Sequence, residues 1–275
     1  MRILLIGKNG QLGHELARSL PAVAKEVMAT DRSQLELTDP DAIRRVVRDA
    51  RPNVIVNASA YNAVDRAEEE SKLAMTVNGA APGVLAEEAK RLGALLVHYS
   101  TDYVFDGNKR TPYLEDDVPA PLSAYGASKL AGELAVRSSG SRYLLLRTSW
   151  VYGPRANNFY AVVKRKAAAS EPMRMVDDQT SVPTPASFLA ATTIALLDKD
   201  AAGLMHLVPS GQATRYDFAR EIVRLSCSRS EVDPARTADF PSAARRPAYS
   251  VMSNARASAV LGRTLPDWRE LLAMV

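Results

Sequence analysis

The chain has 275 residues, 47% apolar and 24% charged, an ordinary globular composition that argues against disorder. Its 35 Lys and Arg are interspersed with 31 Asp and Glu, leaving a net charge of +4 and no basic block of the kind that tracks nucleic acid. One large α/β domain, or one domain with a smaller lobe built on it, fits this length. The single cysteine, Cys227, excludes an internal disulfide and reads as a small packed side chain. The apolar run at the N-terminus is too short for a signal peptide or a membrane span, so a soluble cytoplasmic protein is expected.

The first element, "RILLIG" (2–7), reads as a strand that runs directly into Gly7, Gly10 and Gly13. Glycines at the junction of a strand and a helix permit a tight turn and close backbone approach to a pyrophosphate. A helix over 11–20 follows, then a strand at 26–30. Asp31 at its end stands where a carboxylate would accept the hydroxyls of an adenosine ribose. Arg32 beside it suits a 2′-phosphate instead, so NADH and NADPH both remain open. Thr38 or Asp39 caps a helix over 40–50, with Pro40 in its first turn.

A third strand, "NVIVNAS" (53–59), leads to Ala58, Ser59 and Ala60, small residues that let a backbone pass close to the adenosine half. A helix spans 70–92, and the carboxylates at 68–70 read as its solvated start. The fourth strand, "ALLVHYS" (94–100), holds His98 as a packed histidine and ends at Ser100, Thr101 and Asp102. The helix over 123–138 then places Tyr125 and Lys129 on one face, four residues apart. An ammonium beside a phenol favours the phenolate, so Lys129 is expected to lower the pKa of Tyr125. The same pair alone also suits a surface helix face. A fifth strand, "RYLLLRTS" (142–149), ends just before Trp150, which reads as a core indole or a stacking face for a ligand.

Continuous apolar strands alternating with helices predict a Rossmann-type doubly wound parallel sheet over 1–153. After residue 153 the rhythm breaks, with prolines throughout and helices near 157–169, 184–197 and 214–226. This part, 154–275, is expected to form a smaller substrate-binding lobe, partly interleaved with the sheet and covering its carboxyl edge. The three histidines, at 14, 98 and 206, show no metal-ligand spacing.

Glycine turn, strand-end hydroxyl and Y-x-x-x-K, in this order, resemble the extended short-chain dehydrogenase/reductase family. The resemblance covers essentially the whole chain. "GKNGQLG", "VNASAYNAVDRAE", "STDYVFDG", "YGASKLAGE", "RTSWVYG", "NNF", "DDQTSVPT", "GLMHLV" and "ARRPAYSVMSN" are similar to motifs of its dTDP-4-dehydrorhamnose reductase branch. Ser59 and Asn62 depart from it, standing where that branch often has alanine and threonine.

The resemblance implies NADPH- or NADH-dependent reduction of the C4 ketone of a dTDP-4-keto-6-deoxy sugar. Thr101 would polarise the ketone, Tyr125 would donate the proton, and Lys129 would tune Tyr125 and hold the nicotinamide ribose. Gly10, Gln11, Leu12, Glu36, Leu37, Ala60 and Tyr61 would lie on the dinucleotide. Thr101, Asp102 and Trp150 would contact the sugar. Cations for the substrate's diphosphate would come from among Lys164, Arg165, Arg174, Arg245 and Arg246. A nucleotide sugar is the expected partner, with no nucleic acid, membrane or metal, and a homodimer is compatible. A related ketosugar reductase or epimerase, or a non-catalytic regulatory subunit on this fold, are the alternatives.

Overall fold

The computed structural model describes residues 1–155 and 158–275. Its centre is a sheet of six parallel strands: β1 (Arg2–Ile6), β2 (Glu26–Thr30), β3 (Val54–Asn57), β4 (Leu95–Thr101), β5 (Arg142–Thr148) and β6 (Gly203–His206). They are ordered β2-β1-β3-β4-β5-β6. The chain winds outward from β1 to β2, returns to β3, and continues in the opposite direction. That reversal opens a crevice beyond the carboxyl ends of β1 and β3, where a doubly wound sheet binds its ligands.

Successive side chains point to opposite faces of the sheet, and both faces are buried, which is why its central strands are almost wholly apolar. Ile3, Leu5, Val56, Val97 and Leu146 pack with Leu12 and Leu16 of α1 (Gln11–Ser19) and with Phe188 and Leu189 of α6 (Ala186–Asp198). Leu4, Ile6, Ile55, Leu96 and Leu145 face the opposite layer. There they meet Ile43 and Val47 of α2 (Pro40–Ala50), Leu85 of α3 (Ala81–Leu92) and Val136 of α4 (Ala124–Ser138). Asp39 is the cap of α2, its carboxylate accepting from the amides of Asp41 and Ala42.

A second apolar core joins Tyr160 and Val163 of α5 (Phe159–Ala168), Phe218 and Ile222 of α7 (Arg215–Leu225), and Trp268. Phe105 and Tyr113, from the loop after β4, belong to it as well. Asn158 caps α5, whereas Asn157 of the "NNF" motif lies outside the described residues. Strand β6 pairs with β5 inside the main sheet, so the region after 153 supplies the sheet's edge strand. Cys227 is a correction. It is exposed, at φ +51, in the turn that follows α7, and is not packed.

Candidate active site

The first turn is built around Gly7. Its φ of +92 is in the left-handed region, and a Cβ there would lie 2.4 Å from Ser59 Oγ. Gly13 packs the start of α1 onto this turn, since a Cβ would lie 1.9 Å from the Gly7 carbonyl oxygen. The turn closes with the Gly10 amide on the Gly7 carbonyl at 3.0 Å, and α1 begins with its free amides at the crevice.

Two cavities meet at this turn. One, of about 440 Å³, is lined by Gly7, Gly10, Asp31, Arg32, Glu36, Leu37 and Ala58 to Tyr61. Asp31 is held by Ser33 and Asn9 and lies 3.4 Å from the Lys8 ammonium. The Ser33 hydroxyl leads in pulling its carboxyl down to about 2, with the Ser33 amide and Lys8 adding to the effect. Arg32 is paired with Glu36 at 2.9 Å. Tyr61 donates its hydroxyl to Glu70 at 2.6 Å, and Glu68 accepts from the Ala124 amide at the start of α4. Glu68 and Glu70 therefore brace the cavity wall and the next helix, which corrects their reading as a solvated helix start.

The other cavity, of about 410 Å³, is lined by Gly10, Gln11, Leu12, Ser100, Thr101, Asp102, Tyr125, Lys129, Trp150 and Arg215. The structure thus brings the glycine turn, the end of β4, the first two turns of α4 and the end of β5 to one cleft. Ser100 and Thr148 line it with buried hydroxyls that have no hydrogen-bond partner among the described residues. The glycine cradle and these two hydroxyls fit a polar ligand lying along the sheet edge.

Lys129 is nearly inaccessible, and its ammonium donates to the Tyr99 carbonyl at 2.6 Å. Burial pulls it down to about 8, against the Glu133 carboxylate one turn further along α4. Glu133 is itself forked by Arg147 of β5, at 2.9 and 2.7 Å, with both side chains buried. The Tyr125 pKa expectation is overturned. Burial pushes the phenol above its usual 10, opposed by the Thr101 hydroxyl, while the Lys129 ammonium is turned to β4. Desolvation of a phenolate outweighs an ammonium spent on a backbone carbonyl.

Two further expectations change. Asp102 is only 2% exposed, and its carboxylate accepts from Thr101, Ser181 and Ser250, so its acceptors are committed within the protein. Trp150 has φ +42, a strained conformation for a bulky residue, and the Arg215 guanidinium lies 3.6 Å from its ring centre. One face of the indole is therefore already covered.

Thr101, Asp102, Tyr125, Lys129 and Trp150 thus line one cleft with the start of α1, and Asp31, Arg32 and Glu36 line the cavity beside it. The family profile described as "RmlD substrate binding domain" matches residues 1–275. The chain belongs to this family. It is 45% identical over 286 residues to a dTDP-4-dehydrorhamnose reductase of Burkholderia thailandensis, covering 98% of this chain and 96% of that one. A dTDP-4-dehydrorhamnose reductase structure from Clostridium acetobutylicum superposes with a TM-score of 0.95 at 37% identity, covering 100% of this chain and 98% of that one. Another, from Bacillus anthracis in complex with NADP, gives a TM-score of 0.95 at 34% identity, over 99% and 97% of the two chains.

Arg215 is the residue sequence reasoning missed. It opens α7 and lines both the central cleft and a neighbouring cavity of about 280 Å³ shared with Arg174, Phe240 and Arg246. Burial lowers it to about 10. The available signal was its position: a cation in the first turn of a helix, where the macrodipole favours an anion. Among the sequence candidates, Arg174 and Arg246 reach this cavity, paired with Asp239 and Asp65. Lys164 lies elsewhere, over the Tyr160 ring.

Proposed function

We propose that the chain reduces the C4 ketone of dTDP-4-dehydro-L-rhamnose to dTDP-L-rhamnose, using NADPH or NADH, in the biosynthesis of cell-surface polysaccharide. One observation carries the reading: Thr101, Tyr125 and Lys129 line the same cleft as the glycine turn, beside a second cavity that ends at Asp31 and Arg32. The curated relatives support the substrate, and a NADP-bound neighbour supports the cofactor.

The amides around Gly10 would hold the dinucleotide pyrophosphate, Asp31 or Arg32 the adenosine ribose, and Lys129 the nicotinamide ribose. When bound, the dinucleotide supplies the hydride. Tyr125 supplies the proton. Its buried phenol stays protonated through the neutral range and releases the proton only to a stronger base, which an alkoxide developing at C4 is. Arg215, Arg174 and Arg246 would receive the substrate's diphosphate in the adjoining cavity, where guanidinium matches phosphate geometry.

In the division of labour we propose, residues 1–153 hold the dinucleotide and 154–275 close over the sugar. Among the described residues no helix is long and apolar enough to cross a membrane, and a charged nucleotide-sugar substrate supports a cytoplasmic site of action. The test is NADPH oxidation with dTDP-4-keto-6-deoxy sugars, with the product identified by NMR. Absence of cofactor oxidation, or a product epimerised but not reduced, would reject the reading.

A further inference from the structure

Asp31 directly follows β2, and two cations of different character stand near it. Arg32 is 83% exposed and paired with Glu36 at 2.9 Å. Lys8, in the glycine turn after β1, is only 31% exposed, and its ammonium lies 3.4 Å from Asp31 Oδ2. That ammonium is tethered at two further points, donating to Gln34 Oε1 at 2.6 Å and to the Ala29 carbonyl at 3.3 Å. The Lys8 amide donates to the Thr30 carbonyl at 3.0 Å, so the backbone carrying this charge is fixed to the end of β2. Lys8 is therefore a placed charge, whereas Arg32 is a surface one.

Among the described residues, the charges around the cavity of about 440 Å³ balance in pairs. Arg32 is matched by Glu36, and Arg66 by Glu70. Asp31 is the remaining charged group of the lining, and its counter-charge, Lys8, stands outside that lining. Asp31 Oδ1 also accepts from the Ser33 amide and hydroxyl, and Oδ2 from Asn9. These donors make Asp31 a weak acceptor for a ribose diol, while Lys8 cancels the charge that would repel a phosphate. A bare carboxylate at this place would favour the diol and reject a 2′-phosphate.

We propose that Lys8 is a specificity-determining residue of the cofactor site: by neutralising Asp31 it lets the cavity accept a 2′-phosphate, and so NADPH beside NADH. This rests on the reductase reading and adds a second cation to the choice, one that acts through Asp31 without touching the phosphate. Removing the ammonium leaves the cavity with one unmatched negative charge, set against a 2′-phosphate that is itself strongly anionic. NADH carries no charge at this position and is indifferent to the change.

The experiment titrates the full chain with NADPH and with NADH, following the fluorescence of the bound dihydronicotinamide, and needs no turnover. At low ionic strength Lys8→Met should weaken NADPH about tenfold, the scale of one unit charge at a partly shielded site, with NADH changed less than about twofold. Lys8→Gln keeps a hydrogen-bonding end without the charge and should match Lys8→Met, whereas Lys8→Arg should retain NADPH. The loss should shrink in about 1 M salt, where the screening length is about 3 Å. Adding Asp31→Asn to Lys8→Met removes the unmatched charge and should restore NADPH binding. Equal weakening of the two dinucleotides overturns the proposal. So does NADPH affinity that is kept in Lys8→Gln, or that is not regained with Asp31→Asn. If Lys8→Met does not fold, Lys8→Gln carries the same comparison. Failure of the unsubstituted chain to bind either dinucleotide counts against the functional reading alone.

Discussion

The two ends of the cleft are built in different ways. At the end proposed for the cofactor, each wall is a short contiguous stretch at a strand's carboxyl end: Gly7 to Gly13, Asp31 to Leu37, Ala58 to Tyr61. At the end proposed for the substrate, Asp102, Trp150, Ser181, Arg215 and Ser250 come from separate parts of the chain. A dinucleotide is received largely by backbone, whose demands fall on glycines and small residues at fixed local spacing. A sugar and its diphosphate are received by side chains, which tertiary packing can bring from anywhere.

The comparison breaks first where both ends lean on one support. Arg147→Met leaves Glu133 buried and unpaired behind Lys129. We expect a loss of about 3–5 kcal/mol, measured by urea unfolding, with both ends weakened together. Adding Glu133→Leu should recover much of it. Tyr125→Phe sharpens the comparison instead. It should cost at least about 10²-fold in turnover, the lower range for general acid catalysis, with NADPH affinity retained by fluorescence titration.

Arg215→Met should act at the substrate end alone. Losing a charged hydrogen bond to phosphate should raise KM for the nucleotide sugar about 10- to 100-fold, with NADPH binding unmoved. Equal loss of both would erase the distinction between the ends. Arg32→Ala acts at the other end and is exposed, so about a tenfold loss of NADPH affinity is expected, with NADH nearly unchanged. Equal losses would show that Arg32 does not read the 2′-phosphate. The smallest effect is in pH. The Lys129 ammonium loses its proton as pH rises through about 8, so turnover should be roughly halved there and continue to fall above it. A flat profile to pH 10 would remove its charge from the mechanism.

The sheet and its helices were legible because apolar runs and caps such as Asp39 act over a few residues. Strand β6 was not, since "GLMH" is short and gains its identity only by pairing with β5. The clustering of Thr101, Tyr125 and Lys129 followed from strand ends and helical spacing. Their electrostatics did not follow. Spacing shows that Tyr125 and Lys129 share a face, but burial of the phenol and capture of the ammonium by the Tyr99 carbonyl depend on what packs over them. Arg215 and the two serines were invisible for the same reason, having ordinary surroundings in sequence and special ones in space.

Strand β6 also has a consequence for the order in which the molecule can be made. Its partner β5 ends at Thr148, but the residues that cover that edge leave the ribosome only after α6, which itself covers α1. Until then the nascent chain carries an open parallel edge and an uncovered apolar helix face, both prone to association. The first 153 residues are therefore not an independently foldable piece. A fragment ending there should aggregate.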